Sequence, residues 1–445
     1  MNCDVSENID LIVLVGSPGI PYTPSIFATL GWLPPLLLFA AFAIISAFSV
    51  LFIIEAMQAL PGTHLTLEPA AISKPFLLGN RHFQGTVEFA TLVHFYFGPV
   101  EHLIAQLLLY GAIQSQAMNN IVLSAQTFDN ILVDIFHKTC GITLPGGNVP
   151  VGWHCFSNNN STTYAVSEVL GNSPFGSQPI LFSLGLLIVI VLCLPLAISN
   201  LDDNIQVQIV AFVMTLVVSA EWVVESSFSV KASRVPTLSV SPSFGNLLGP
   251  IIINYACTIF VPSWINLKRQ NVNAQRTVWL TMTLAIFVYT LMGLFPALAF
   301  DGLAATGTNG QTSNAIANFI NPSQAHHVLI NKITCYAFSI VMLLPAIPVS
   351  FIVSEQNIVH NFELGGWGKW GFKFVCFVLP WLLIIPMQTG SALGSFMNWT
   401  GVLLVSPANF VIPFVIYLKC LRFRREYNEH RGESSCLGMH LNSTW

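Results

Sequence analysis

Stretches of about 20 apolar residues follow one another along almost this whole chain, the length a helix needs to cross a hydrocarbon core of ~30 Å. Lipid offers no partner to backbone N–H and C=O groups, so such stretches must be helices that satisfy their own hydrogen bonds. We place about ten segments, near 9–31, 34–57, 85–113, 179–198, 205–228, 244–265, 276–300, 328–354, 373–387 and 393–418. The third is expected to run on as helix through Asn119 toward Ile131, because apolar residues continue at helical spacing. A charged fraction of only 8% and a mean hydropathy of +0.67 exclude the soluble globular class. The chain reads as an all-α polytopic membrane protein.

Two of these segments are interrupted where a spanning helix should be most regular. The first carries Gly16-Ser17-Pro18-Gly19-Ile20-Pro21-Tyr22-Thr23-Pro24 in its middle. The sixth places Asn254, Tyr255, Ala256, Cys257 and Thr258 mid-span between Pro250 and Pro262, each of which removes a backbone donor. Non-helical backbone survives at that depth only inside protein or beside a cavity. Interrupted spans in corresponding halves of a chain point to a transporter's midplane site, where half-helix ends offer N–H groups to an anion and carbonyls to a cation. The candidate binding residues are therefore Ser17, Gly19, Ile20, Pro21 and Tyr22 facing Asn254, Tyr255, Ala256, Cys257 and Thr258.

Particular residues in these segments also resemble a known family. Gly19-Ile20 with Pro24 and then Gly31-Trp32 is similar to the first-helix signature of the amino acid/auxin permeases. Ala256-Cys257-Thr258 through Pro262 to Asn266-Leu267-Lys268 resembles that family's sixth helix, and Leu343-Leu344-Pro345-Ala346-Ile347-Pro348 its two-proline eighth. The resemblance implies a leucine-transporter-like 5+5 inverted repeat with broken helices 1 and 6, carriage of amino acids by alternating access, and coupling to protons, with sodium as the alternative ion. The family usually has eleven helices, and this chain ends soon after its tenth. It also lacks the first-helix Asn that sodium-coupled members use, which favours protons.

The expected organisation is one transmembrane domain over 1–418, with repeats at about 9–228 and 244–418, an extracytosolic loop at 132–178 and a cytosolic tail at 419–445. With the N-terminus inside, only Lys138, Lys231, Arg234 and Lys332 of the 16 Lys and Arg lie outside, in line with the positive-inside rule. Cys140 and Cys155 then share an extracytosolic polar loop and are candidates for a disulfide. Asn159 and Asn160 of the same loop begin overlapping glycosylation sequons.

Ionisable residues inside spans are costly and mark coupling sites. Glu101 and His102 fall mid-way along the third segment, and Glu221 and Glu225 lie one turn apart in the fifth. Glu101, His102 and Glu221 are the proton-coupling candidates; Glu225 reads as solvated near the outer interface. No Cys, His or acidic spacing suggests a metal, a cofactor or an enzyme, and no basic patch suggests nucleic acid. The expected partners are a small amino acid and the bilayer of a plasma, vacuolar or lysosomal membrane. A ligand sensor that keeps the site without cycling is the second reading.

Overall fold

The computed structural model describes residues 19–59, 87–146, 149–157, 164–165, 173–176, 178–198, 201–239, 244–267, 272–301, 303, 315–320, 327–359, 366–389 and 392–434. The helices are α1 (Thr23–Leu30), α2 (Leu33–Gln58), α3 (Phe89–Tyr96), α4 (Pro99–Phe136), α5 (Leu184–Ile198), α6 (Leu201–Ser227), α7 (Leu248–Asn254), α8 (Val261–Leu267), α9 (Ala274–Ala299), α10 (Ala315–Ile320), α11 (Val328–Ala337), α12 (Leu344–Val359), α13 (Gly366–Leu383), α14 (Ala392–Thr400) and α15 (Ile412–Ser434). A π-helical stretch, Phe338–Leu343, joins α11 to α12, and two more, Gly401–Val405 and Pro407–Val411, join α14 to α15. The protein is a multi-pass, predominantly α-helical integral membrane protein. Among the described residues, seven helices are long and apolar enough to cross a membrane.

Four expected spans look different from the sequence reading. The first is described only from Gly19, and the fourth is the 15-residue α5. The third is two helices, because Phe97 and Gly98 are extended ahead of Pro99, which opens α4 at its first turn. Proline disfavours helical backbone in the residue before it and fits the start of a helix, where its missing N–H costs nothing. The same segment then exceeds the expected end at Ile131 and continues to Phe136. The tenth span likewise runs past 418, as helix to Ser434.

Prolines set much of the packing. Pro380 cannot donate to the Cys376 carbonyl one turn back, and Gln114 Nε2 of α4 approaches that carbonyl at 3.4 Å. Pro348 leaves the Leu344 carbonyl open in the same way, and Cys193 Sγ of α5 lies 3.9 Å from it. Each broken rung thus ties one helix to another. At the end of α1, Gly31 has φ +87, and an added Cβ would stand 2.6 Å from the Pro236 carbonyl oxygen. The chain can turn there only without a side chain, so Trp32 and Leu33 donate to the Pro236 and Thr237 carbonyls at 3.1 and 3.2 Å.

The loop between α4 and α5 is a small sheet, an exception to the all-α expectation. Its strands β1 (Lys138–Thr143), β2 (Gly152–Ser157), β3 (Tyr164–Ala165) and β4 (Ile180–Ser183) lie in the order β3-β2-β1-β4. Cys140 and Cys155 are direct cross-strand partners and form a disulfide. At 38 residues, α4 is ~57 Å long, so its last turns pass beyond a ~30 Å hydrocarbon core. There Asp129 accepts hydrogen bonds from Thr139 Oγ1 at 2.7 Å, Ser183 Oγ at 2.6 Å and the Gly185 N–H at 2.9 Å. It fastens β1, β4 and α5 to one helix end. Burial pushes its carboxyl up to about 6 against the pull of those donors. The sequons at Asn159 and Asn160 lie outside the described residues.

Candidate functional site

The sixth span is broken where the sequence puts its polar run. α7 ends at Asn254, Tyr255–Cys257 are not helical, and a 3-10 turn at Thr258–Phe260 leads into α8. Pro262 contributes to the break, since it cannot donate to the Thr258 carbonyl as a continuing α-helix would require. The Val261 N–H takes that carbonyl instead. All five of Asn254, Tyr255, Ala256, Cys257 and Thr258 are buried.

Buried backbone groups need partners, and neighbouring spans supply them. Tyr289 of α9 donates its hydroxyl to the Asn254 carbonyl at 3.0 Å, and Ser46 of α2 donates to the Tyr255 carbonyl at 2.9 Å. Ser46 Oγ also lies 3.7 Å from Cys257 Sγ. From the tenth span, Asn409 Oδ1 accepts the Ile259 N–H at 3.4 Å and Asn398 Oδ1 the Gly249 N–H at 3.0 Å. The unwound stretch is therefore held open by fixed side chains.

The described start of the first span comes against that break. Gly19 caps a 3-10 turn at Ile20–Tyr22 that leads into α1. A Cβ on Gly19 would fall 2.3 Å from Asn254 Oδ1 and 2.9 Å from the Pro250 carbonyl oxygen. Thr23 Oγ1 donates to the Gly19 carbonyl at 3.2 Å and accepts from Asn254 Nδ2 at 3.4 Å. Gly19 and Asn254 are thus brought together, and Ile20, Pro21 and Tyr22 are buried beside them. Ser17 lies outside the described residues. Around both breaks the rings of Phe27, Phe39, Tyr255 and Tyr289 pack at centroid distances of 5.5–6.2 Å.

Several polar atoms here have no protein partner although they are buried: Asn254 Oδ1, Tyr255 Oη, Thr258 Oγ1 and Ser25 Oγ. Native interiors rarely leave such atoms unmet, and a group of them at an unwound stretch is what a polar ligand or water would satisfy.

A second polar row went unread in the sequence. Along α4, Gln114 Nε2 donates to Ser354 Oγ at 3.0 Å, Thr127 pairs with Ser339 at 2.8 Å, and Gln126 Nε2 donates to the Gln388 carbonyl at 3.0 Å. Between those anchors Asn119, Asn120 and Ser124 are buried with unpartnered side-chain atoms. The signal was present as the run Gln114-Ser115-Gln116 followed by Asn119-Asn120, polar groups that a span tolerates only when they face protein or water.

The coupling candidates separate. Glu101 is not mid-span: it stands in the first turn of α4, exposed, paired with Lys419 and accepting the Gly98 N–H at 3.4 Å. The placement expected from the sequence is corrected because Gly98-Pro99 restarts the helix just ahead of it. His102 is buried, 3.2 Å from Gln106 Nε2 and with its ring 4.9 Å from that of His94. Glu221 accepts from Thr334 Oγ1 at 2.8 Å. Glu225, expected at a solvated interface, has a side chain only 3% exposed and bonds His327 Nδ1 at 2.9 Å.

No family model matches the sequence, and no curated protein matches it. Among solved structures the chain is similar to the crystal structure of an Eremococcus coleocola manganese transporter in complex with an aromatic bis-isothiourea substituted compound. The TM-score is 0.51 at 13% identity, over 92% of this chain and 78% of that one. The two chains share an architecture. At such identity the likeness speaks for architecture alone. The named neighbour being a transporter agrees with a non-enzymatic reading.

Proposed function

We propose that this protein is a secondary active transporter of a small zwitterion, an amino acid by preference, working by alternating access on a leucine-transporter-like inverted repeat. The observation that carries the reading is the group of buried, unpartnered polar atoms at the sixth-span break, pressed against Gly19 of the first. A carboxylate would take N–H groups and the Tyr255 and Thr258 hydroxyls, and an ammonium would take carbonyl oxygens and Asn254 Oδ1. The structural neighbour is a manganese transporter, but residues 19–30 and 244–267 of this chain contain no Asp, Glu or His. Hard divalent cations are held by carboxylates and carbonyls, so this donor set suits a zwitterion better. Protons are the proposed coupling ion, carried by carboxyls buried between helices, and Glu101 with its exposed ion pair is the weakest of the three candidates.

The test is counterflow in liposomes. Purified protein should exchange internal unlabelled for external radiolabelled amino acids, and an imposed inward pH gradient should drive accumulation. Binding of an amino acid without counterflow would convert the reading to that of a sensor, and no binding of any amino acid would overturn it.

A further inference from the structure

Between α6 and α11 two acidic residues, one of them the coupling candidate Glu221, are held in a manner that extends the transport reading. Glu221 and Glu225 are one turn apart and so share a face of α6; His327, Asn331 and Thr334 share a face of α11. The two faces meet at both ends. Glu225 accepts from the His327 N–H at 3.0 Å and bonds its Nδ1 at 2.9 Å, while Glu221 accepts from Thr334 Oγ1 at 2.8 Å. Trp222 Nε1 donates to Thr334 Oγ1 at 3.2 Å and closes one side with its ring stacked on Phe319.

Asn331 lies on α11 between those two tethers, on the stripe that meets α6. It is fully buried, and neither its Oδ1 nor its Nδ2 has a protein partner. An amide left unmet in that way costs several kcal/mol by apolar-transfer measures, and buried polar gaps of this kind are filled by water or a small ion. His327 is 54% exposed at the outer mouth, whereas Glu225 beside it is 3% exposed. Exposure falls steeply from His327 to Glu225, and Glu221 one turn on is half-buried.

We propose that Glu225 and Glu221, with Asn331 between them, take up a proton that enters from the extracytosolic side by way of His327. His327 takes a proton from solvent on one ring nitrogen and releases the other to Glu225. Water held by the Asn331 amide passes it to Glu221, so one proton enters and one carboxylate is neutralised. The other charged groups packed nearby are engaged elsewhere: Lys332 pairs with Asp134 at 3.0 Å, Tyr336 also bonds Asp134, and Arg234 pairs with Asp301 at 2.7 Å. Cys335 is buried next to Thr334 on α11, and Lys231 follows α6. α6 is packed against the π-helical stretch Phe338–Leu343, which joins α11 to the rest of the eighth span. Charge neutralisation here is thereby placed to bias the geometry of that span.

The proposal rests on the transporter reading for its consequence but not for its first test. Infrared titration of the purified full-length protein in lipid should show a carboxylic C=O band that titrates with pH and is lost in both Glu225→Gln and Glu221→Gln; an unchanged band in both overturns the site. In liposomes, Glu225→Gln and Asn331→Leu should reduce pH-gradient-driven amino acid accumulation by roughly 5- to 150-fold, the usual span of a coupling between sites, while counterflow persists. Retained counterflow certifies folding. Full driven uptake in both variants, or loss of sodium-driven rather than proton-driven uptake, refutes the assignment. Wild-type protein that shows no transport at all defeats the transport reading and leaves the infrared result to decide the proton site.

Discussion

Replacing Gly19 by alanine adds one carbon where the described start of the first span touches the sixth-span break. The backbone there is ordinary, with φ −77 and ψ −15, so an alanine pays no conformational penalty and the effect is purely one of space. The new Cβ would sit 2.3 Å from Asn254 Oδ1 and 2.9 Å from both Asn254 Cγ and the Pro250 carbonyl oxygen. The Asn254 amide can rotate away, but only by giving up its bond to Thr23 Oγ1. The Pro250 oxygen is backbone and yields only if α7 moves. Overpacking of this kind costs ~1–3 kcal/mol, which lowers substrate affinity by roughly 5- to 150-fold if the displacement falls on the binding geometry. Gly371→Ala in α13 is the control, since a Cβ there meets nothing within 4 Å. Counterflow as a function of amino acid concentration, with both variants inserted at equal levels, reads the affinity. Wild-type half-saturation in Gly19→Ala would refute the claim that the two breaks form one site.

Three further outcomes follow from the same contacts. Tyr289→Phe strands the buried Asn254 carbonyl at the sixth-span break and should cost ~1–3 kcal/mol, whereas Ser46→Ala leaves the Tyr255 carbonyl with the Cys257 N–H at 3.0 Å and should cost less; because the carbonyls are adjacent, the double variant should depart from additivity in a thermal-unfolding cycle. Cys155→Ser opens a loop of 15-residue separation and should destabilise the β1–β4 sheet by about 3 kcal/mol, read as faster proteolysis of that loop while counterflow persists. Asp129, whose folded carboxyl stands at about 6 against an ordinary 3.8, binds more protons folded than unfolded between those values. Its contribution is therefore full below about pH 4 and lost as pH rises through 6, on the order of 3 kcal/mol; hydrogen exchange in β1 and β4 should quicken over that window, and Asp129→Leu should flatten the dependence.

How much could be read from the chain beforehand depended on whether the signal was local. Prolines act through their own missing donor, so the break at Asn254–Thr258 was legible from Pro250 and Pro262, and its neighbours on other spans were not. The cysteine pair was legible as a cluster in one polar loop, whereas the strand register that puts Cys140 opposite Cys155 was not. Glu101 was misplaced because apolar content was counted across Phe97-Gly98-Pro99, three residues that reset the helix and move the carboxylate from mid-span to a first turn. Glu225 was misread in the opposite sense. Distance from a segment end suggested solvent, but burial of its side chain is decided by α11, about a hundred residues later in the chain. The amides of α4 were overlooked since each is unremarkable alone, and their part in the fold shows only through the other spans that Gln114 and Gln126 bond.

The fold likeness at 13% identity has a physical basis in the same contacts. In lipid, burial of apolar side chains gives no net drive for helices to associate, so packing and interhelical hydrogen bonds must specify the arrangement. Here the bonds that do so originate at defects: carbonyls freed by Pro348 and Pro380, the unwound backbone of Tyr255–Cys257, and a Gly249 so close to Asn398 that a Cβ would lie 2.2 Å from its Cα. Defects fix where spans must meet, and almost any apolar residue serves between them. Identity can therefore fall very low while the architecture persists, and what discriminates one carrier from another is the set of polar atoms that the defects leave without a protein partner.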